Sequence, residues 1–319
     1  MDATHVTEGS QTPETPSAPT CYRHPKRESY IRCTRCERFI CPDCMLDAPV
    51  GHQCPECVKE GHRSVRQART VFGGQLTTTP LLTYLLIAVN ALVYLLELVR
   101  PDTVDRFDGL GQGVVGPDGL RYVVEGDLLP PGFHEVGVAS GEWYRLITSA
   151  FLHLPPTQGQ FGALHILLNM YALWMFGRVV EQQLGRVRFL VVYLTAALGG
   201  AVLGYLISPQ EEAVGASGAI FGLVATYFLM SRRMWHDPLG GGRQLAASLV
   251  WLVASAGFTF WQGHLGGLLV GAAVGAAFVY APRKGRLAVQ GAVVVATLAV
   301  LVLLVLLKST ELGAGTPLG

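Results

Sequence analysis

The chain has little charge. Only 15% of its 319 residues are Asp, Glu, Lys or Arg, against 50% hydrophobic. A soluble globular protein carries about 25% charged residues, so that class is excluded. The net charge is +1 and identifies no partner. Nothing resembles a base-reading finger helix, and no nucleic acid is expected. Cysteine is missing from everything after Cys57. An apolar leader is missing as well: residues 1–20, MDATHVTEGSQTPETPSAPT, are rich in Thr, Pro, Ser and Glu. With so little apolar surface to offset chain entropy, this tail is expected to be disordered.

What cysteine there is comes in pairs. The spacing reads Cys21 and His24, Cys33 and Cys36, Cys41 and Cys44, Cys54 and Cys57, each pair separated by two residues. Such turns present two ligands to one ion, and four ligands suit tetrahedral zinc. Eight ligands suffice for about two ions. A disulfide framework fits poorly, because the cysteines number seven and a histidine fills the eighth place. The spacing resembles cross-braced B-box-like fingers. That resemblance implies one zinc on Cys21, His24, Cys41 and Cys44, and a second on Cys33, Cys36, Cys54 and Cys57. His52 is a spare candidate for the place of Cys54. Zinc thiolates imply a reducing compartment, hence a cytoplasmic head. A head of residues 21–58 cannot bury enough core by itself, so metal is expected to supply its fold. A cytoplasmic protein is its expected partner.

After the head, a basic linker over 59–77 carries Lys59, Arg63, Arg66 and Arg69. Apolar runs follow at 78–99, 163–180, 187–207, 215–231, 243–261, 264–281 and 287–307. Each is near the length that crosses about 30 Å of hydrocarbon. These runs predict an all-α polytopic membrane domain over 78–309, ending in a tail at 310–319. Arg and Lys recur in every second loop: Arg178, Arg186 and Arg188; Arg232, Arg233 and Arg243; Arg283, Lys284 and Arg286. By the positive-inside rule those loops and the N-terminus are cytoplasmic, and the C-terminus lies outside. Zinc and loop charge give the same topology.

Four polar residues in the apolar runs invite a functional reading: His165, Asn169, Ser217 and His264. Polar groups in lipid are costly unless they face the bundle or a wet cavity. Ser217 lies in GASGAIFG, fifteen residues before the cytoplasmic Arg232. That distance covers only about 22 Å of helix, so Ser217 falls below the outer surface and implies an outward-facing cavity. In HLGGLLVGAAVG, His264 leads Gly267, Gly271 and Gly275 down one helical stripe. That stripe can approach the Gly218 and Gly222 face closely. A histidine at the depth of Ser217 can take its proton. No carboxylate lies in the outer half of a nearby span, so a dyad is the economical reading. His165 and Asn169 share a face at i and i+4, and both can donate to an oxyanion. Taken singly, each has a plainer reading: packing for the serine, an interfacial place for the histidines, interhelical glue for the asparagine. Together, on one side of the membrane, they point to acyl transfer.

With these motifs the chain resembles a rhomboid intramembrane serine protease over about 140–281 and the first span. The matching pieces are Trp143 and Arg145, HILLNM with His165 and Asn169, GASG at Gly215 to Gly218, and HLGGLLVG with His264. The resemblance implies a six-helix core with a seventh C-terminal helix. It also implies Ser217 as nucleophile, His264 as base, and His165, Asn169 and the Ser217 N–H as oxyanion donors. Substrates would be single-span membrane proteins in the lipid bilayer of the plasma membrane, cut near the outer face at small residues. No cofactor is needed for that chemistry. Two departures stand out. Phe221 occupies a place where some members carry tyrosine, and LPPTQGQFGA, 154–163, reads as an insertion before His165. The alternative is a catalytically silent rhomboid-like protein that binds membrane clients and uses its zinc head for docking.

Overall fold

The computed structural model describes residues 18–64, 69–74, 79–122, 129–156 and 162–314. Most of the expected N-terminal tail, Arg66, the middle of the inserted segment and the end of the C-terminal tail lie outside the described residues. The chain divides into two compact units, Met1–Gln67 and Ala68–Gly319.

In the first unit, β1 (Thr20–Cys21) pairs antiparallel with β2 (His24–Glu28), and β3 (Leu46–Asp47) with β4 (His52–Gln53). A helix, α1, covers Pro55–Ser64. Two-stranded ribbons of this size are marginal in water. The buried centre is made of cysteines and Ile40, so almost no hydrocarbon supports them. The head also extends past residue 58. The helix that carries Cys57 continues to Ser64, so the stretch expected to open the linker is helical.

The second unit opens with α2 (Leu81–Val99) and α3 (Asp102–Phe107). A three-stranded sheet in the order β6-β5-β7 follows, from β5 (Gly113–Val115), β6 (Arg121–Tyr122) and β7 (His134–Val136). Next come α4 (Arg145–Thr148) and α5 (Ala163–Ala172). The latter runs through a wide π turn at Leu173–Gly177 into α6 (Arg178–Leu184). The remaining helices are α7 (Arg186–Ile207), α8 (Ser217–Ser231), α9 (Gly241–Ala254), α10 (Trp261–Tyr280) and α11 (Arg286–Ala314).

Among the described residues, five helices are long and apolar enough to cross a membrane, and Ser217–Ser231 is a shorter apolar one. This is a multi-pass membrane protein. The expected run 243–261 is not one helix. α9 ends at Ala254, and Ser255 turns the chain, accepting the Thr259 hydroxyl at its carbonyl at 2.9 Å. α10 then begins at Trp261, so His264 lies within its first turn rather than at its first residue.

The bundle packs around α7, α8 and α10. A Cβ on Gly267 would lie 2.0 Å from the Gly218 carbonyl oxygen, and one on Gly271 would lie 2.2 Å from the Gly222 Cα. The glycine stripe below His264 therefore faces α8, as its spacing predicts. The Thr226 hydroxyl donates across the same seam to the Gly271 carbonyl at 3.0 Å. At the opposite end of the bundle, Glu181 is fully buried. It accepts the Leu82 N–H at 3.0 Å and the Thr83 N–H and hydroxyl at 2.8 Å each. A carboxylate on the free amides that start α2 satisfies them and complements the helix dipole.

Gly271→Ala is expected to cost about 1–3 kcal/mol through overpacking and to lower the thermal midpoint in detergent. Gly291, where a Cβ meets nothing within 4 Å, serves as the control. Equal midpoints for the two alanine variants would show that α8 and α10 are not in close contact.

Candidate functional site

Ser217 is the first residue of α8. The amides of its first turn are therefore open at this point, as at any helix start. Gly215 precedes it at φ +124°, a conformation that favours glycine. A Cβ there would also lie 2.9 Å from the His165 imidazole. The Gly215 N–H donates to the Ser149 carbonyl at 2.9 Å, which fixes the turn into the helix.

His264 reaches Ser217 from the first turn of α10, with Nε2 2.9 Å from the serine Oγ. Phe221, one turn below Ser217, stacks flat on the imidazole, with centroids 4.5 Å apart and planes 8° from parallel. The ring position that the sequence singled out thus holds the histidine without a hydroxyl. His264 Nδ1 is buried and has no partner among the described residues, so no carboxylate completes a triad.

His165 and Asn169 come from α5. The Leu154 N–H donates to His165 Nδ1 at 3.4 Å, which leaves Nε2 as the protonated nitrogen. The Asn169 amide donates to the His165 carbonyl at 2.9 Å, so one of its two N–H groups is occupied within the helix. All four residues line one cavity of about 770 Å³. A second pocket, of about 40 Å³, adjoins Ser217 and is walled by Ser149, Ala150, Ala197, Gly200 and Gly215. It has room for a small side chain only.

Residues 140–281 match the family model described as Rhomboid domain. That stretch of the chain is similar to the rhomboid domain. Rhomboid protease GluP of Bacillus subtilis is 35% identical over 157 residues, which cover 46% of this chain and 28% of that protein. The putative rhomboid protease YdcA of Bacillus subtilis is 41% identical over 98 residues, 30% of this chain and 46% of the relative. RHOMBOID-like protein 6, mitochondrial, of Arabidopsis thaliana is 31% identical over 155 residues, 46% of this chain and 48% of the relative. The alignments span less than half the length of each of these relatives. They support an intramembrane serine protease family.

The rhomboid domain holds a buried ion network beside the site. The Arg145 Nε donates to Glu142 at 2.7 Å, and its Nη1 to Asp108 at 2.5 Å and to the Asp105 carbonyl at 3.0 Å. Arg121 lies 2.7 Å from the other Asp108 oxygen and also pairs with Glu212, in the loop that leads to Ser217. Burial pushes the Asp108 carboxyl above its usual range, against the pull of Arg121 and Arg145. Burial also opposes ionisation of Glu142, but the Gly137 N–H and Arg145 outweigh it and hold that carboxyl low. Neither Asp108 nor Arg121 sits in a periodic pattern, and the sequence reading missed both. It missed His153 too, a fully buried ring 5.2 Å from that of His165.

The head carries two ligand clusters. Cys21, His24, Cys41 and Cys44 form one; Cys33, Cys36, Cys54 and Cys57 form the other, with all donor atoms of a cluster within 4.8 Å of one another. The grouping is the cross-braced one. His52 stands apart, 3.3 Å from the Asp47 carboxylate. Four thiolates at about 2.3 Å from one ion sit roughly 3.7 Å apart, and the Cys36 and Cys54 sulfurs are 3.8 Å apart. The Cys54 N–H and the Arg38 Nε each donate to a cluster sulfur at 3.3 Å, outer contacts of the kind that orient metal ligands. Both clusters can hold a metal ion.

Arg145→Ala is expected to destabilise the rhomboid domain by about 3 kcal/mol, because it strips a partner from the buried Asp108. Thermal unfolding in detergent checks this. A midpoint within a degree of wild type would show that Arg121 neutralises Asp108 unaided.

Proposed function

We propose that the protein is an intramembrane serine endopeptidase that cuts single-span membrane proteins near the outer face of the plasma membrane. The 2.9 Å contact between Ser217 Oγ and His264 Nε2 carries this reading. Ser217 Oγ attacks the peptide carbonyl carbon while His264 Nε2 takes the serine proton. Charge that develops on the carbonyl oxygen is met by His165 Nε2, the free Asn169 N–H and the Ser217 amide. The C–N bond then breaks, and His264 returns the proton to the leaving amine. Water, deprotonated by His264, releases the acyl group from Ser217. The small pocket beside Ser217 favours a small residue before the cut bond. Arg and Lys in alternate loops support an N-terminus in the cytoplasm and a C-terminus outside. Zinc fills both head clusters, since soft thiolates with one imidazole suit that ion. The head then docks a cytoplasmic protein.

The test is cleavage of a fluorescent single-span substrate in detergent by wild type, Ser217→Ala and His264→Ala. Wild type is expected to cleave, and each variant to lose about a thousandfold or more in rate. Cleavage retained by Ser217→Ala would sink the assignment. No cleavage by any form, with several substrates tried, would favour a silent client-binding protein.

Elemental analysis of the purified chain is expected to find about two zinc ions, one for each cluster. In a Cys36→Ser/Cys57→Ser variant the content should fall to about one. A single ion in wild type would mean that the clusters do not fill independently.

A further inference from the structure

Glu211 lies in the loop 208–214 between α7 and α8, exposed, on the wall of the cavity that holds Ser217. Its neighbours in charge are already engaged. Glu212 and Asp108 share Arg121, while Asp108 and Glu142 hold Arg145. No ion pair engages Glu211 among the described residues. The segments 123–128 and 157–161 contain no Lys or Arg.

Gln262 supplies a second, separate observation on the same wall. It is only 3% exposed. Its Nε2 donates to the Ser208 hydroxyl at 2.8 Å and approaches the Glu211 carboxylate at 3.5 Å. Exchange of the amide nitrogen and oxygen would set oxygen against carboxylate, so these neighbours fix the orientation. The Oε1 is then left buried with no partner, a costly state for an amide acceptor. A free carboxylate and an unpartnered buried acceptor call for the same thing: a ligand group that brings N–H donors and positive charge. Phe260 and Trp261 line the cavity alongside and can cover an aliphatic stem. The loops at this end strengthen the attraction. Residues 100–162 hold eight carboxylates against four arginines and no lysine, and Glu211 and Glu212 add two more acids.

We propose that Glu211 and Gln262 form a subsite for a lysine or arginine side chain of the bound membrane-protein segment. Substrates with a basic residue on the aqueous side of the cut bond are therefore selected. The inference rests on reading the Ser217 cavity as a protease site, and its test separates the two.

Full-length Ser217→Ala protein in detergent is titrated with labelled single-span peptides. The peptides are identical except for one Lys, Gln or Glu moved through the positions around the expected cut. At one or more positions Lys is expected to bind about fivefold more tightly than Gln, with Glu weakest. The preference should shrink at high salt, which tests charge with the subsite intact. It should fall to about one in Glu211→Gln and invert in Glu211→Lys. Equal binding of the three peptides at every position, or an unchanged preference in Glu211→Gln, overturns the subsite. Wild-type protein is given the same peptides for cleavage. Lys preference in binding without cleavage keeps the subsite and removes the protease reading. Cleavage without Lys preference does the reverse.

Discussion

Two helices of this bundle touch through glycine backbone at their closest approach. Gly218 and Gly222 on α8 meet Gly267 and Gly271 on α10 backbone to backbone, and a Cβ at either α10 glycine would overlap its neighbour. Glycine inside a helix costs about 1 kcal/mol relative to alanine, so four of them at one seam are a marked concession. Close packing offsets it, because in lipid dispersion and backbone contacts replace the hydrophobic drive. The seam also sets the geometry at its end. Ser217 starts one helix and His264 lies in the first turn of the other, so the spacing of the backbones fixes the 2.9 Å between their side chains. Phe221 fills the gap beneath the imidazole and limits its rotation.

Around that seam, buried charge holds the less regular parts. Arg145 and Arg121 grip Asp108 from two sides, and Arg121 reaches Glu212 in the loop that enters α8. Glu181 does comparable work at the far end by closing the start of α2. In each case a fully buried carboxylate is matched with several donors, which is what makes burial of its charge tolerable. Asp108 still feels the loss of water, since its carboxyl is pushed upward despite two arginines.

The membrane unit was legible where physics leaves a period. Apolar runs marked the helices, and the glycine stripe below His264 marked the face that meets α8. His165, Asn169, Ser217 and His264 stood out because lipid tolerates few polar side chains, and they meet in one cavity. The end of α9 was not legible. Residues 255–260 are mostly apolar, and only the local bonding of Ser255 and Thr259 turns the chain there. The network around Asp108 was hidden for a related reason. Its members are scattered over a long loop, and only the folded sheet and α4 bring them together. The cysteine head was legible because ligand pairs two residues apart constrain grouping before any fold exists.

The burial of α8 has a consequence for how the protein meets membranes of different thickness. Ten of its fifteen residues are buried, so the helix takes its surroundings from protein rather than from acyl chains. Hydrophobic mismatch acts on helices that touch lipid, which tilt or thin the bilayer to suit their length. Here that strain falls on α2 and α11, whose leucine-rich faces are exposed. A bilayer a few Å thicker or thinner can tilt those flanking helices while the short central one keeps its length and register. The depth at which Ser217 sits is thus measured from the neighbouring helices, and lipid composition changes the frame around it before it changes the site.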